Sequence, residues 1–204
     1  MRALQIGFSA LLALALAACT TPPPAAVTEA PAAQVQDVPA VAVDGGKITE
    51  VHPGAGGSPH VRAEWMVDGA NVSITYGRPY LKGRTIGETV DPMPGQVWRL
   101  GADEATTISG NRPLTIGSTR VPAGDHTLWI LATGDSWQLV VNQQTGQAGT
   151  EYDVARDLAR IPMAVTEAGA ATEQLTISIR NGQLVIEWGR KVATVPLRVT
   201  AEAS

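Results

Sequence analysis

The sequence predicts an all-β protein with a single antiparallel β-sandwich or barrel-like domain of short, hairpin-connected strands. Three observations carry that expectation. From Val61 onward apolar residues recur at every second position, the period of a half-buried strand. The alternating runs are separated by Asp-Gly, Asn-Gly and Pro-Ala-Gly-Asp, which are turn formers because glycine, asparagine and aspartate tolerate left-handed backbone. No amphipathic helix alternates with the runs, so a βαβ sheet is excluded, and no internal repeat is present.

The elements follow in order. Val61, Ala63, Trp65 and Val67 alternate with Arg62, Glu64 and Met66. Asp68-Gly69 turns the chain, and Val72, Ile74 and Tyr76 run back. Short strands are expected at Val97–Leu100, Ala105–Ser109 and Leu114–Ile116. Pro122-Ala123-Gly124-Asp125 precedes a strand from His126 to Leu131, and Gly134-Asp135 leads into another from Trp137 to Val141. Asp153–Ala159 could form a helical turn, with Leu158–Ala164 as an alternative strand. Leu175, Ile177 and Ile179 lead into Asn181-Gly182, the preferred pair for a type I′ turn, and Leu184, Ile186 and Trp188 return. Gly189-Arg190-Lys191 is read as a further turn before Val195, Leu197 and Val199. Trp65, Trp129, Trp137 and Trp188 lie on these strands and are assigned to the core, where large rings contribute most.

The N-terminal part is of another kind. Arg2 precedes an apolar stretch too short to span a bilayer as a helix, which needs about 20 residues. It ends in Leu16-Ala17-Ala18-Cys19. A basic residue, an apolar run and small residues describe a signal peptide over residues 1–18. The cysteine after the small residues resembles the lipobox of bacterial lipoproteins. That resemblance implies cleavage before Cys19, diacylglycerol on its sulfur and acylation (palmitate) of its amino group, with several chains giving a durable anchor. Thr20, rather than aspartate, then implies the outer membrane, facing the periplasm. Residues 19–57 read as a tether: half of the 14 prolines lie between Pro22 and Pro59, and no apolar periodicity lasts long enough for a helix or strand. Residues 58–204 form the domain, and Val51–Pro59 is where the tether would first touch it.

Composition excludes several functions. The net charge of -4 and a pI near 5.3 argue against a nucleic-acid surface. Cys19 is the only cysteine, so the domain has no disulfide and no thiolate chemistry. There is no Gly-x-Ser-x-Gly elbow, His-Glu-x-x-His helix or phosphate-cradling Gly-Lys-Ser/Thr loop. No cofactor or metal is expected: of His52, His60 and His126, the first lies in the tether, and a metal site would require the tether to fold back.

Two segments carry unusual chemistry. The first is Tyr76-Gly77-Arg78-Pro79-Tyr80-Leu81-Lys82-Gly83-Arg84-Thr85-Ile86, and the second is Val97-Trp98-Arg99-Leu100-Gly101-Ala102-Asp103-Glu104-Ala105-Thr106-Thr107. They concentrate arginine and lysine in an acidic protein. Together with Ser58-Pro59-His60, Pro122-Ala123-Gly124 and Glu151-Tyr152-Asp153, they resemble the signature of a bacterial family known as domain of unknown function 2911, over roughly Ser58–Val199. The resemblance implies a β-rich fold and an envelope location, and no activity. Gly87, Met93-Pro94-Gly95 and Ala148 stand where members often carry aromatic residues, so an aromatic ligand platform would be reduced here.

Two roles are open to the motif residues. In one, Arg78, Arg84 and Arg99 are buried and pair with Asp103, Glu104, Asp153 or backbone carbonyls. In the other, Arg78, Lys82, Arg84 and Arg99 face a cleft and bind an anion, with Tyr80 or Trp98 stacking on a flat group and Asp103 and Thr106 adding polar contacts. The second gives the functional expectation: an envelope lipoprotein that is a binding or structural module for an anionic small molecule, glycan or peptide, or that contacts an envelope protein. The alternative is a periplasmic hydrolase or isomerase using His60 and Glu104 as acid and base. Adjacent Asp103 and Glu104 on a strand would point to opposite faces, a poor arrangement for a carboxylate pair.

Overall fold

The computed structural model describes residues 45–200, within the unit Pro39–Ser204 into which the chain divides. The expected signal peptide, Cys19 and most of the expected tether lie outside the described residues.

The described residues form one open, antiparallel sheet of eleven strands. The strands are β1 (Lys47–His52), β2 (His60–Val67), β3 (Ala70–Gly77), β4 (Val97–Trp98), β5 (Thr106–Gly110), β6 (Leu114–Ile116), β7 (Thr119–Val121), β8 (Gly124–Thr133), β9 (Ser136–Asn142), β10 (Asp157–Arg180) and β11 (Gln183–Val199). Their order in the sheet is β1-β2-β3-β5-β8-β9-β10-β11-β6-β7, with β4 added beside β8. The sheet is sandwich-like: residues from β2, β3, β5, β6, β8, β9, β10 and β11 meet in a single apolar core. The four strand tryptophans are all buried, as expected. Trp129 lies apart from the main core, with Ala105, Val140 and the ring of Tyr152 at 5.1 Å, so β8 and β9 are covered on both faces.

The tight turns follow from sequence. Asp68 and Gly69 have φ of 46° and 75°, and Asn181 and Gly182 have 51° and 69°. Two successive left-handed residues make the turn whose twist matches a hairpin. Asp153–Ala159 contributes a helical turn at Val154–Arg156, where the Asp153 side chain accepts from the Ala155 amide, and the following residues extend into β10.

Two expectations are corrected. The chain does not turn at Gly189-Arg190-Lys191. β11 runs unbroken from Gln183 to Val199, and left-handed Gly189 (φ 58°) marks a shift of register against β10 near Thr172. And the stretch expected as tether contains β1, which pairs antiparallel with β2 and brings His52 opposite His60. β1 is an edge strand, Lys-Ile-Thr-Glu-Val-His, whose residues are exposed or half-buried. Lacking a buried face, it shows no apolar alternation.

Candidate functional site

The first motif segment begins where β3 ends and runs along β10. The Arg78 amide donates to Pro59 O, the Leu81 amide to Glu173 O and the Leu175 amide to Pro79 O. The Tyr76 hydroxyl accepts from the Ile177 amide at 3.0 Å. Arg78, one residue beyond the end of β3, also bonds to β10. Only 4 % exposed, it donates from Nε to Leu175 O and from Nη2 to Thr176 Oγ1, each at 3.1 Å. Arg78 is therefore a buried tie between β3 and β10, and its expected place as a ligand-facing group is corrected. Thr106 is also fully buried, with its hydroxyl donating to Leu100 O at 2.8 Å. Trp98 is core, its indole donating to Gly101 O at 3.2 Å, so its face is not free to stack on a ligand.

The remaining binding candidates converge. Tyr80, Lys82, Arg84, Arg99 and Asp103, with the edge of Trp98, line one cleft of about 530 Å³, joined by Asp91 and Trp188. Arg84 grips the chain, donating to Leu81 O at 2.9 Å and Tyr80 O at 2.6 Å. Lys82, with φ of 49°, is exposed and held through its amide by Glu173 Oε1 at 2.8 Å. Arg99 is half-buried, and its Nε is fully buried with no acceptor among the described residues. Its stem crosses Gly149 so closely that a Cβ there would lie 1.9 Å from Arg99 Cδ. Neither Asp103, Glu104 nor Asp153 pairs with Arg99 among the described residues; Asp153 faces Arg156 at 3.9 Å instead. Gly149 was not singled out from the sequence, since the need for a bare backbone comes from a residue fifty positions away.

A second cluster lies on the other side of Asp103. His60, 3 % exposed, places Nε2 at 3.2 Å from Asp103 Oδ2 and 3.0 Å from Glu104 Oε2. His52 Nε2 lies 3.6 Å from the other oxygen of Glu104, and the two imidazoles stack at 4.2 Å with planes 17° apart. The expectation that Asp103 and Glu104 diverge is corrected. Asp103 has φ of 60° and stands outside any strand, so strand alternation does not apply and both carboxylates reach His60. Asp103 Oδ2 also accepts from the Ala55 amide at 2.9 Å. His52, Glu104 and His60 border a smaller pocket of about 200 Å³ with Tyr76, whose hydroxyl burial pushes to a higher pKa.

Tyr152 donates to both oxygens of Asp157 at 2.8 and 2.7 Å, and burial, reinforced by Asp157, pushes its phenol up to about 12. Burial also lowers the pKa of His126. Another hollow, of about 580 Å³, lies on β2, β3 and β5, but its Arg62 and Glu64 already pair with each other at 3.0 Å and no motif residue enters it.

Fold and site define a class: a small β domain whose signature residues build a cationic cleft next to a histidine–carboxylate cluster. Residues 58–197 match the model of a family described as a protein of unknown function (DUF2911). The chain belongs to that family. No curated protein and no solved structure matches it.

Proposed function

We propose that this protein is an envelope lipoprotein whose domain binds an anionic small molecule, glycan or peptide in the cleft beside Arg99. One observation carries this reading: half-buried Arg99 lines the cleft, and no carboxylate among the described residues pairs with it. A guanidinium held partly out of water without a counter-ion costs free energy, and a negatively charged ligand in the cleft would offset that cost. Lys82 and Arg84 add positive charge to the same wall, and Asp103, the nearest carboxylate in the sequence, is turned toward His60 and the Ala55 amide. An arginine fork suits carboxylate, sulfate or phosphate oxygens. The acid–base alternative draws on the His60–Glu104 contact, but those two residues border the smaller pocket and neither lines the cleft. Binding is therefore the better-supported reading.

The test is a thermal-shift series on the Pro39–Ser204 unit, which retains β1, using inorganic phosphate, a dicarboxylate, a uronic-acid oligosaccharide and an acidic peptide. At least one should raise Tm in the wild type and leave folded Arg99→Ala unmoved. No shift with any of the four, or equal shifts in both proteins, would remove the cleft as an anion site. The anchor is tested separately. Cys19→Ala should move the protein from the membrane fraction to the soluble fraction, and retention in membranes would refute the lipoprotein reading.

A further inference from the structure

We infer that His52, His60 and Glu104 form a binding site for a divalent transition-metal ion of the zinc class, distinct from the anion cleft and independent of its occupancy. One ligand atom from each of the three residues lies within 4.8 Å of the other two. A tetrahedral zinc ion with imidazole and carboxylate donors at about 2.0–2.2 Å needs those donors roughly 3.3–3.5 Å apart. His60 Nε2 and His52 Nε2 stand 3.0 and 3.6 Å from the two oxygens of Glu104, so small side-chain movements bring all three onto one ion. Two imidazoles and a single carboxylate favour zinc, cobalt, nickel or copper over the oxygen-seeking calcium and magnesium.

The fold builds this arrangement. His52 ends β1 and His60 begins β2, and they are register partners across the loop containing Gly54, Gly56 and Gly57, all left-handed. The approach of His60 requires glycine on β3, since a Cβ on Gly77 would lie 2.7 Å from His60 Nε2. The left-handed backbone at Asp103 then delivers Glu104 to both rings, with Asp103 Oδ2 at 3.2 Å from His60 Nε2. The adjoining pocket of about 200 Å³ gives an ion a way in and leaves room for water at an open position.

The proton balance is explicit. His52 Nδ1 accepts from the Gly54 amide at 3.1 Å, so without metal its ring proton sits on Nε2, facing Glu104. Metal binding at Nε2 requires the Nδ1–H tautomer in both rings: at His52 the proton moves from Nε2 to Nδ1, which keeps the imidazole neutral and gives up the Gly54 contact, and at His60 the Nε2 proton facing Glu104 and Asp103 moves to Nδ1 in the same way. The ion replaces the shared protons that otherwise hold two imidazoles and a carboxylate together. In doing so it fastens the edge strand β1 to the motif.

The experiment is calorimetric titration of the purified full-length chain with Zn²⁺ in a non-chelating buffer, with a thermal melt beside it and Mg²⁺ and Ca²⁺ as comparisons. His52 and Glu104 are partly exposed, so His52→Ala and Glu104→Gln should fold; circular dichroism checks this. One Zn²⁺ should bind and raise Tm, each variant should weaken binding at least tenfold, and the hard cations should give no shift. No Zn²⁺ binding at 1:1 stoichiometry, or binding that survives unchanged in both folded variants (as it would if Cys19 or another histidine were the ligand), overturns the site. Because Arg99 lies outside this cluster, Arg99→Ala should bind Zn²⁺ like wild type, which keeps this result separate from the fate of the anion cleft.

Discussion

Replacing Arg78 with alanine should lower the stability of the domain by about 3 kcal/mol, whereas the same change at Arg99 should cost no more than about 1 kcal/mol. The two arginines are twenty-one positions apart in one motif family, yet their surroundings differ. Arg78 is buried, and the acceptors of its side chain, Leu175 O and Thr176 Oγ1, belong to β10. A hydrogen bond to a charged group is worth about 1.5–3 kcal/mol, and truncation also leaves a cavity and an orphaned carbonyl. The seam is long, since Leu81 and Leu175 donate across it as well, so the loss is shared rather than fatal to the fold. Arg99 has no such partner to lose; its removal relieves a buried, unsatisfied donor. In a domain of this size about 1 kcal/mol moves Tm by roughly 2–4 °C, so Arg78→Ala should melt about 6–12 °C below wild type and Arg99→Ala within about 4 °C of it. Parallel thermal and urea melts decide the matter. A severe loss at Arg99 with little at Arg78 would reverse the division of labour drawn here and leave the cleft without its defining residue.

That division also shows what the sequence made visible. The hairpins were legible because strand period and turn chemistry agree at Asp68-Gly69 and Asn181-Gly182, where both residues adopt positive φ. The core tryptophans were legible because they fall on the apolar phase of those strands. Five of the eight binding candidates, with the edge of Trp98 as a sixth, line one cleft because the motif is two short loops meeting in space. Which arginine is buried could not be read, since that depends on Leu175 and Thr176, almost a hundred residues downstream. His52 was misread for a different reason. An exposed edge strand has no periodic signature, and its partnership with His60 depends on the backbone bonds of β1 to β2. In retrospect the local signal was symmetry: His52 and His60 flank Gly56 at equal distance, with glycines between them. Gly189 misled in the opposite direction, because a left-handed glycine serves a register shift as well as a turn.

Gly77→Ala should damage both sites at once and cost about 2–3 kcal/mol. The backbone at Gly77 is not in the left-handed region, so conformational freedom is not the reason for glycine. Space is. A Cβ there would lie 2.5 Å from Ala102 O, 2.7 Å from His60 Nε2 and 3.0 Å from the Ala102 amide nitrogen. Gly101 faces the same seam, with Gly77 O at 3.0 Å from its would-be Cβ. The end of β3 and the Gly101–Ala102 backbone are thus pressed together, and neither backbone nor buried ring can swing aside as a surface side chain would. Overpacking of this kind costs about 1–3 kcal/mol, paid here by moving Ala102 and, with it, Asp103. Since Asp103 borders the cleft and touches His60, anion and Zn²⁺ responses should weaken together in the variant, at temperatures where it remains folded. Gly169→Ala is the matched control: it lies in β10 with open space around it and should stay within about 0.5 kcal/mol of wild type. Melting curves and the two titrations, run on both variants, give the answer. If Gly77→Ala matched Gly169→Ala in stability and kept both ligand responses, the close approach of β3 to the motif loop would not be what holds His60 and Asp103 in place.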